Sequence, residues 1–109
     1  MNNEVRFVWD ENKNRENLRK HGIDFNTAIF VFNDPDYVKI YDEVHSITEE
    51  RWNIIGMVHD VTLFVVETEI TDNVIRIISA RRANRNEREK YNGENSLSQN
   101  AQKNIQKGT

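Results

Sequence analysis

Arg76, Arg81, Arg82, Arg85, Arg88 and Lys90 crowd into residues 76–90, where only Glu87 and Glu89 oppose them. A guanidinium is planar, donates two parallel hydrogen bonds and stays charged at any working pH, so this cluster suits the phosphates of a polyanion. A run of charge is also what a solvated helix face carries, and the run alone does not decide between the two. Two other basic sites could join it: Arg15, Arg19, Lys20 and His21 near the N-terminus, and Arg51 beside Trp52. Trp52, Tyr41 and Tyr91 are aromatic rings that either stack on unpaired bases or pack in the core.

These parts match RNA cleavage without a metal. The 2′-hydroxyl of RNA attacks the neighbouring phosphorus once a base removes its proton and cations hold the charge that develops. Lys20, His21 and Glu50 are candidate bases, and Arg51, Arg76 and Arg81 are candidate stabilisers. Trp52, Arg82 and Arg85 are candidate contacts to the RNA chain. His21 ends a helix, where it could equally cap carbonyls and favour the dipole. Arg76 stands among Ile75, Ile77 and Ile78, an environment that invites a structural ion pair, with Glu67 or Glu69 of an adjacent strand as the expected partner. His21, His45 and His59 lie in unlike contexts and form no metal-ligand pattern, so no metal and no cofactor is expected. The chain lacks cysteine, has no G-x-S-x-G elbow, and its glycines at 22, 56, 93 and 108 are isolated, which removes thiol, serine-hydrolase and phosphate-loop chemistry.

Elements to position these side chains are readable from spacing. Val5, Phe7 and Trp9 alternate in a short strand that Asp10 ends. Asp10 caps a helix over Glu11–His21, and Gly22 closes it. Leu18 is the one strongly apolar residue of that helix, so it must lie on the surface. Asp24 caps a second helix whose stripe is Phe25, Ala28, Ile29 and Phe32, with Ile23 stapled to Ala28, and Asn33-Asp34-Pro35-Asp36 stops it. Period-two patterns then predict strands at Tyr37–Tyr41, Arg51–Val58, Leu63–Ile70 and Val74–Ala80, the last three joined by short polar turns into an antiparallel meander. On this reading Arg81 and Arg82 lie just beyond the strand end. A final helix is expected from Asn84 to Asn92. The fold class is α+β: an N-terminal strand and two helices packed on an antiparallel sheet of about four further strands, with a C-terminal helix. Residues 1–92 read as one domain, and 93–109 as a polar tail, weakly helical or disordered.

Charge is unevenly spread along these 109 residues. The net charge of −3 conceals a segment, residues 22–75, with two Lys/Arg against eleven Asp/Glu, followed by the basic 76–90. No apolar run approaches the ~20 residues of a membrane helix and the N-terminus lacks a signal-peptide pattern, so a cytoplasmic protein is expected.

Three blocks extend the reading. FVWDENKNRENLRKHGIDF (Phe7 to Phe25), ERWNIIG (Glu50 to Gly56) and RIISARRANRNEREKY (Arg76 to Tyr91) resemble, in order and spacing, the signature blocks of BrnT toxins. The resemblance implies a RelE-like α+β fold and a type II toxin that inhibits translation and growth as a metal-independent endoribonuclease. It also implies neutralisation by a BrnA-like antitoxin, in a hetero-oligomer with toxin dimerisation. Carried over by position, Lys20 and His21, Arg51 and Trp52, and Arg76, Arg81 and Arg82 would form the active surface. Binding through the same residues without catalysis, to nucleic acid or to a partner, is the alternative. Because the chain is acidic overall, RNA affinity should be strongly salt-dependent.

Overall fold

The computed structural model of the chain describes residues 4–94. Five strands, β1 (Arg6–Val8), β2 (Val38–Tyr41), β3 (Trp52–Val58), β4 (Val61–Thr71) and β5 (Val74–Arg82), form one sheet in the order β1-β5-β4-β3-β2. The meander β2 to β5 is antiparallel throughout, as the short turns dictate. β1 adds itself to the edge in parallel with β5, so the sheet is mixed and the class is α+β. β5 runs two residues further than its apolar pattern suggests, and Arg81 and Arg82 therefore lie within the strand.

α1 (Glu11–His21) has the expected ends. Asp10 Oδ1 accepts from the amides of Asn12 and Lys13 at 2.8 and 3.3 Å, and Gly22 adopts φ 72°, the left-handed turn that lets its amide reach Leu18 O at 2.8 Å. α1 docks through amides more than through apolar surface, since its buried residues are Asn14 and Asn17. Asn14 Oδ1 accepts from Phe25 N at 2.7 Å. Asn17 completes the free edge of β5: Nδ2 donates to Ala80 O at 2.7 Å and Oδ1 accepts from Ala80 N at 3.1 Å, as a neighbouring strand would.

The second helix does not continue as one α-helix. α2 (Phe25–Ala28) makes a single turn, capped by Asp24, and passes into a 3-10 helix at Ile29–Asn33. Three residues per turn align Phe25, Ala28 and Val31, all fully buried, whereas the expected stripe had Phe32, which is only half-buried. Val31 seats on Gly56 of β3, where any side chain would meet Val31 Cγ2 at 2.6 Å. Ile54, Leu63, Val65, Ile77 and Ala80 complete this core under the helices.

On the other face of the sheet a smaller core joins Ile55, Ala83 and Tyr91 with Val38, Ile40 and Phe64. Tyr91 belongs to a helix over residues 85–94, α3. Its start is a reciprocal capping box, with Asn84 Oδ1 accepting from Glu87 N at 2.9 Å and Glu87 Oε1 from Asn84 N at 2.8 Å. Tyr91 donates to Asp34 Oδ2 at 2.7 Å, and Asp34 also accepts from Met57 N at 2.7 Å, which pins α3 across the sheet. Of the tail expected at 93–109, residues 93 and 94 continue α3 and the rest lies outside the described residues. Among the described residues no helix is long and apolar enough to cross a membrane.

Candidate functional site

Residues opposite each other in an antiparallel pair share a face, and of the two breaks in the β4–β5 register the one between Val66 and Glu67 shapes the site. Val66 faces Ser79 but Glu67 faces Ile77, so Ile78 is an extra residue in β5. Beyond this bulge the alternation of β5 is reversed. Arg76 (opposite Thr68), Ser79 (opposite Val66) and Arg81 (opposite Phe64) consequently lie on one face, the face turned away from α1 and α2, while Arg82 falls on the other with Leu63.

The connection between β2 and β3 folds over this same face. Ser46 Oγ donates to Asp42 O at 2.6 Å and accepts from Arg51 N at 2.8 Å, and Thr68 Oγ1 donates to Glu50 O at 2.6 Å. The result is an open concavity of about 410 Å³ with Phe64, Val66 and Ile78 as apolar floor and Asp42, His45, Arg51, Asn53, Ser79 and Arg81 around it. Arg51 Nε and Asn53 Oδ1 are buried without a hydrogen-bond partner, so a donor and an acceptor remain unspent there.

Its arginines are held rather than loose. Arg81 makes a fork-to-fork pair with Glu87, both bonds at 2.8 Å, and its guanidinium lies 4.4 Å from the centroid of Phe64. Hydrogen bonding to Glu87 raises the Arg81 pKa against the opposing effect of burial. Burial acts to raise the Glu87 carboxyl, but hydrogen bonds from Arg81 and the Asn84 amide hold it below its ordinary value. Arg76 donates to both oxygens of Glu49, at 2.6 and 2.5 Å, and Arg51 approaches the same carboxylate at 3.6 Å. The expected pairing of Arg76 with Glu67 or Glu69 does not form, because those two side chains belong to the opposite face of β4.

His45 adds a ring nitrogen to the site. Its Nδ1 lies 2.9 and 3.1 Å from the oxygens of Asp42. Burial opposes ionisation of Asp42, yet hydrogen bonds from His45 and Asn53 keep its carboxyl below the ordinary value. A carboxylate only accepts, so Nδ1 carries the hydrogen and Nε2 is left with the lone pair of a base.

The other residues singled out in the sequence stand apart from the concavity. α1 and β5 run side by side in the same direction, since Asp10 and Lys13 border Arg76–Ile78 and Asn17 meets Ala80. Lys20 is one further turn along, a rise of about 5 Å, which puts exposed Lys20 and His21 at the end of the sheet where Arg82 emerges. No described hydrogen bond or ion pair joins Lys20 or His21 to Arg51, Arg76 or Arg81. Glu50 is exposed, and Arg85 pairs with Glu89 on the surface of α3 at 3.2 Å. Trp52 packs against the core on the helix-covered face, edge-on to Tyr41 at 5.0 Å with Lys39 Nζ 4.6 Å from its ring centroid. Sequence reasoning missed His45, Asp42, Glu49 and Glu87. The Asp-x-x-His spacing of Asp42 and His45 and the Asn-x-x-Glu box at Asn84 were the available signals. Among the described residues no group of three or more His, Asp or Glu could hold a metal ion.

Residues 9–87 match the family described as ribonuclease toxin, BrnT, of type II toxin–antitoxin systems. The fold is similar to the 1.1 Å crystal structure of the Brucella abortus ribonuclease toxin BrnT, with a TM-score of 0.60 and 23% identity over 74% of this chain and 99% of that one. No curated protein matches the sequence.

Proposed function

The chain belongs to the BrnT family of ribonuclease toxins of type II toxin–antitoxin systems, and on that premise we propose that the concavity beside the β5 bulge cleaves RNA without a metal ion. The observation that carries this reading is the convergence of Arg51 and Arg81 with the His45–Asp42 pair on one pocket. A phosphodiester seated between the two guanidiniums brings its neighbouring 2′-hydroxyl to His45. Nε2 takes the hydroxyl proton as the oxygen attacks phosphorus, Asp42 holds the imidazolium that forms, and the arginines stabilise the added negative charge. The products are a 2′,3′-cyclic phosphate and a 5′-hydroxyl, the leaving oxygen taking its proton from solvent in the open concavity.

Arg76 sets the site from its border, sharing Glu49 with Arg51. Lys20, His21, Arg82 and Arg85 lie outside the reacting centre and serve the flanking RNA backbone, where compact and forked cations bind phosphate without reading sequence. Cleavage of cellular RNA by this route lowers translation and growth, and a BrnA-like antitoxin neutralises it. The chemistry and the assembly both fit a cytoplasmic protein.

The test is RNA cleavage by purified protein in excess chelator, with the termini identified. Cyclic phosphate and 5′-hydroxyl ends that disappear in His45→Gln support the reading. Loss of cleavage on chelation, or 3′-hydroxyl ends, refutes it. RNA binding without turnover would favour a purely binding role, to which the occupation of Arg76 and Arg81 by Glu49 and Glu87 lends some support.

A further inference from the structure

Glu67 is the sole fully buried charged residue of the described chain, with no exposed surface, and no N–H or hydroxyl donor reaches its carboxylate oxygens, whose one side-chain neighbour is the Glu69 carboxyl. Such a group is costly to bury, and native structures seldom leave one unpaired without a use for it. It lines a cleft of about 380 Å³ on the helix-covered face, on the side of the sheet opposite the arginine concavity. The walls are aromatic: Phe7 and Phe32 are 5.1 Å apart between centroids, and Tyr37 meets Phe32 edge-on at 5.7 Å. Lys39 stands at the mouth but donates to Glu69 and lies over Trp52, so the cation nearest to Glu67 is engaged elsewhere.

We propose that this cleft recognises an organic cation, an amidinium or guanidinium on an apolar body, with Glu67 as its counter-ion and Phe7, Phe32 and Tyr37 as its walls. A planar cation answers each feature of the cleft. Its charge faces the buried Glu67 carboxylate and Glu69, a pair that Lys39 only half neutralises, and its faces lie against rings whose quadrupoles attract it. A neutral ligand of the same shape would leave the carboxylate's charge unneutralised, and an anion would be repelled. Two sources carry this chemistry: a free amidine or guanidine, and an arginine side chain presented by another polypeptide.

Titration calorimetry with benzamidinium, benzamide and a terminally blocked Leu-Arg-Leu peptide separates the outcomes. Saturable benzamidinium binding that is about tenfold or more weaker for benzamide, and equally weakened by Glu67→Gln, establishes the site. Tighter binding of the peptide than of benzamidinium identifies a polypeptide as the source, and the reverse order a small molecule. No binding of either cation up to about 10 mM, or equal binding of benzamide, overturns the proposal. The benzamide comparison uses the unaltered protein, so it holds whatever Glu67→Gln does to folding. RNA cleavage plays no part in the readout, so failure here leaves the ribonuclease reading untouched.

Discussion

Arg76 and Arg81 are five residues apart in one strand, an odd spacing that in a regular strand sends side chains to opposite faces, yet both project from the same face because Ile78 is an extra residue between them. The bulge thus brings the arginines at the two ends of Arg76–Arg81 onto one surface, and α3 then fixes Arg81 through Glu87.

Arg81 is expected to matter for catalysis more than for stability. Arg81→Ala should lower kcat/KM for RNA by roughly 10²-fold, the loss typical of a donor aimed at developing charge. Glu87→Gln keeps the charge of Arg81 and an acceptor for the Asn84 amide but removes the ionic clamp, so a smaller fall is expected with the α3 cap retained. Steady-state cleavage assays alongside urea unfolding separate the two. An Arg81→Ala protein within twofold of wild type would remove this arginine from the mechanism.

His45 should act as the base of the reaction. Asp42, held below its ordinary carboxyl value, keeps its charge beside the imidazole. His45→Gln should lower kcat/KM for RNA by about 10²-fold or more. Asp42→Asn should cost less, since its amide oxygen still accepts from Nδ1 but the charge that holds the imidazolium is gone. Full activity in His45→Gln would assign the base elsewhere.

These expectations rest on features of unequal visibility in the sequence. The ends of α1 were legible because Asp10 and Gly22 act through their own backbone, and β2 to β5 because burial on one face imposes period two. The bulge at Ile78 was not, since it depends on which residue of β4 lies opposite. Strict alternation accordingly gives Arg76 a partner on the wrong face, and the apolar pattern stops short of Arg81 and Arg82, which the strand contains. The second helix was read at a 3.6 period although its last turn tightens to three, the spacing that lets Val31 reach Gly56. The sequence offers His45 only as a metal-ligand candidate that fails, because a residue in an irregular connection has no periodicity and only the folded loop brings it to Arg51 and Arg81. The family match places these residues in a ribonuclease toxin without saying which of them acts.

The hydrogen bond from Tyr91 to Asp34 should be a stability determinant. Burial acts to raise the Asp34 carboxyl, but hydrogen bonds from the Met57 amide, Tyr91 and the Asp36 amide hold it below its usual value of 3.8. Such a group stabilises the fold above its unfolded pKa, and that stability is lost as pH falls below it. Tyr91→Phe should cost about 1.5–3 kcal/mol at neutral pH, the range for a bond to a charged acceptor. The loss should shrink in acid, below pH 3.8, as Asp34 gains its proton. Equal losses at both pH values in urea titrations would assign the effect to packing instead.

Asn17 should be the most sensitive residue of α1. Asn17→Ala removes the bonds to both Ala80 backbone groups and to Ile23 O, the last at 2.8 Å, and strands those groups out of reach of water. A loss of about 2–4 kcal/mol is expected, whereas Leu18→Ala, at an exposed position, should cost under about 1 kcal/mol. The reverse order in urea unfolding would mean that α1 is held by apolar contact after all.

Glu67 should make the protein less stable as the solution turns from acid to neutral, opposite in sign to Asp34. Burial, reinforced by the nearby charge of Glu69 and only partly offset by Lys39, pushes its carboxyl from 4.5 up to about 7. In the unfolded chain this group ionises near 4.5 while the folded protein still holds its proton. The stability contributed by protonated Glu67 is thus full below pH 4.5 and is lost as pH rises to about 7, a change on the order of 3 kcal/mol. Carboxyls with lowered values, such as Asp34 and Asp42, act below this window and leave it clear. Urea midpoints should therefore fall between pH 4.5 and 7 for the wild type and stay level for Glu67→Gln, whose amide cannot ionise. A slope that persists in the variant would place the titrating group elsewhere.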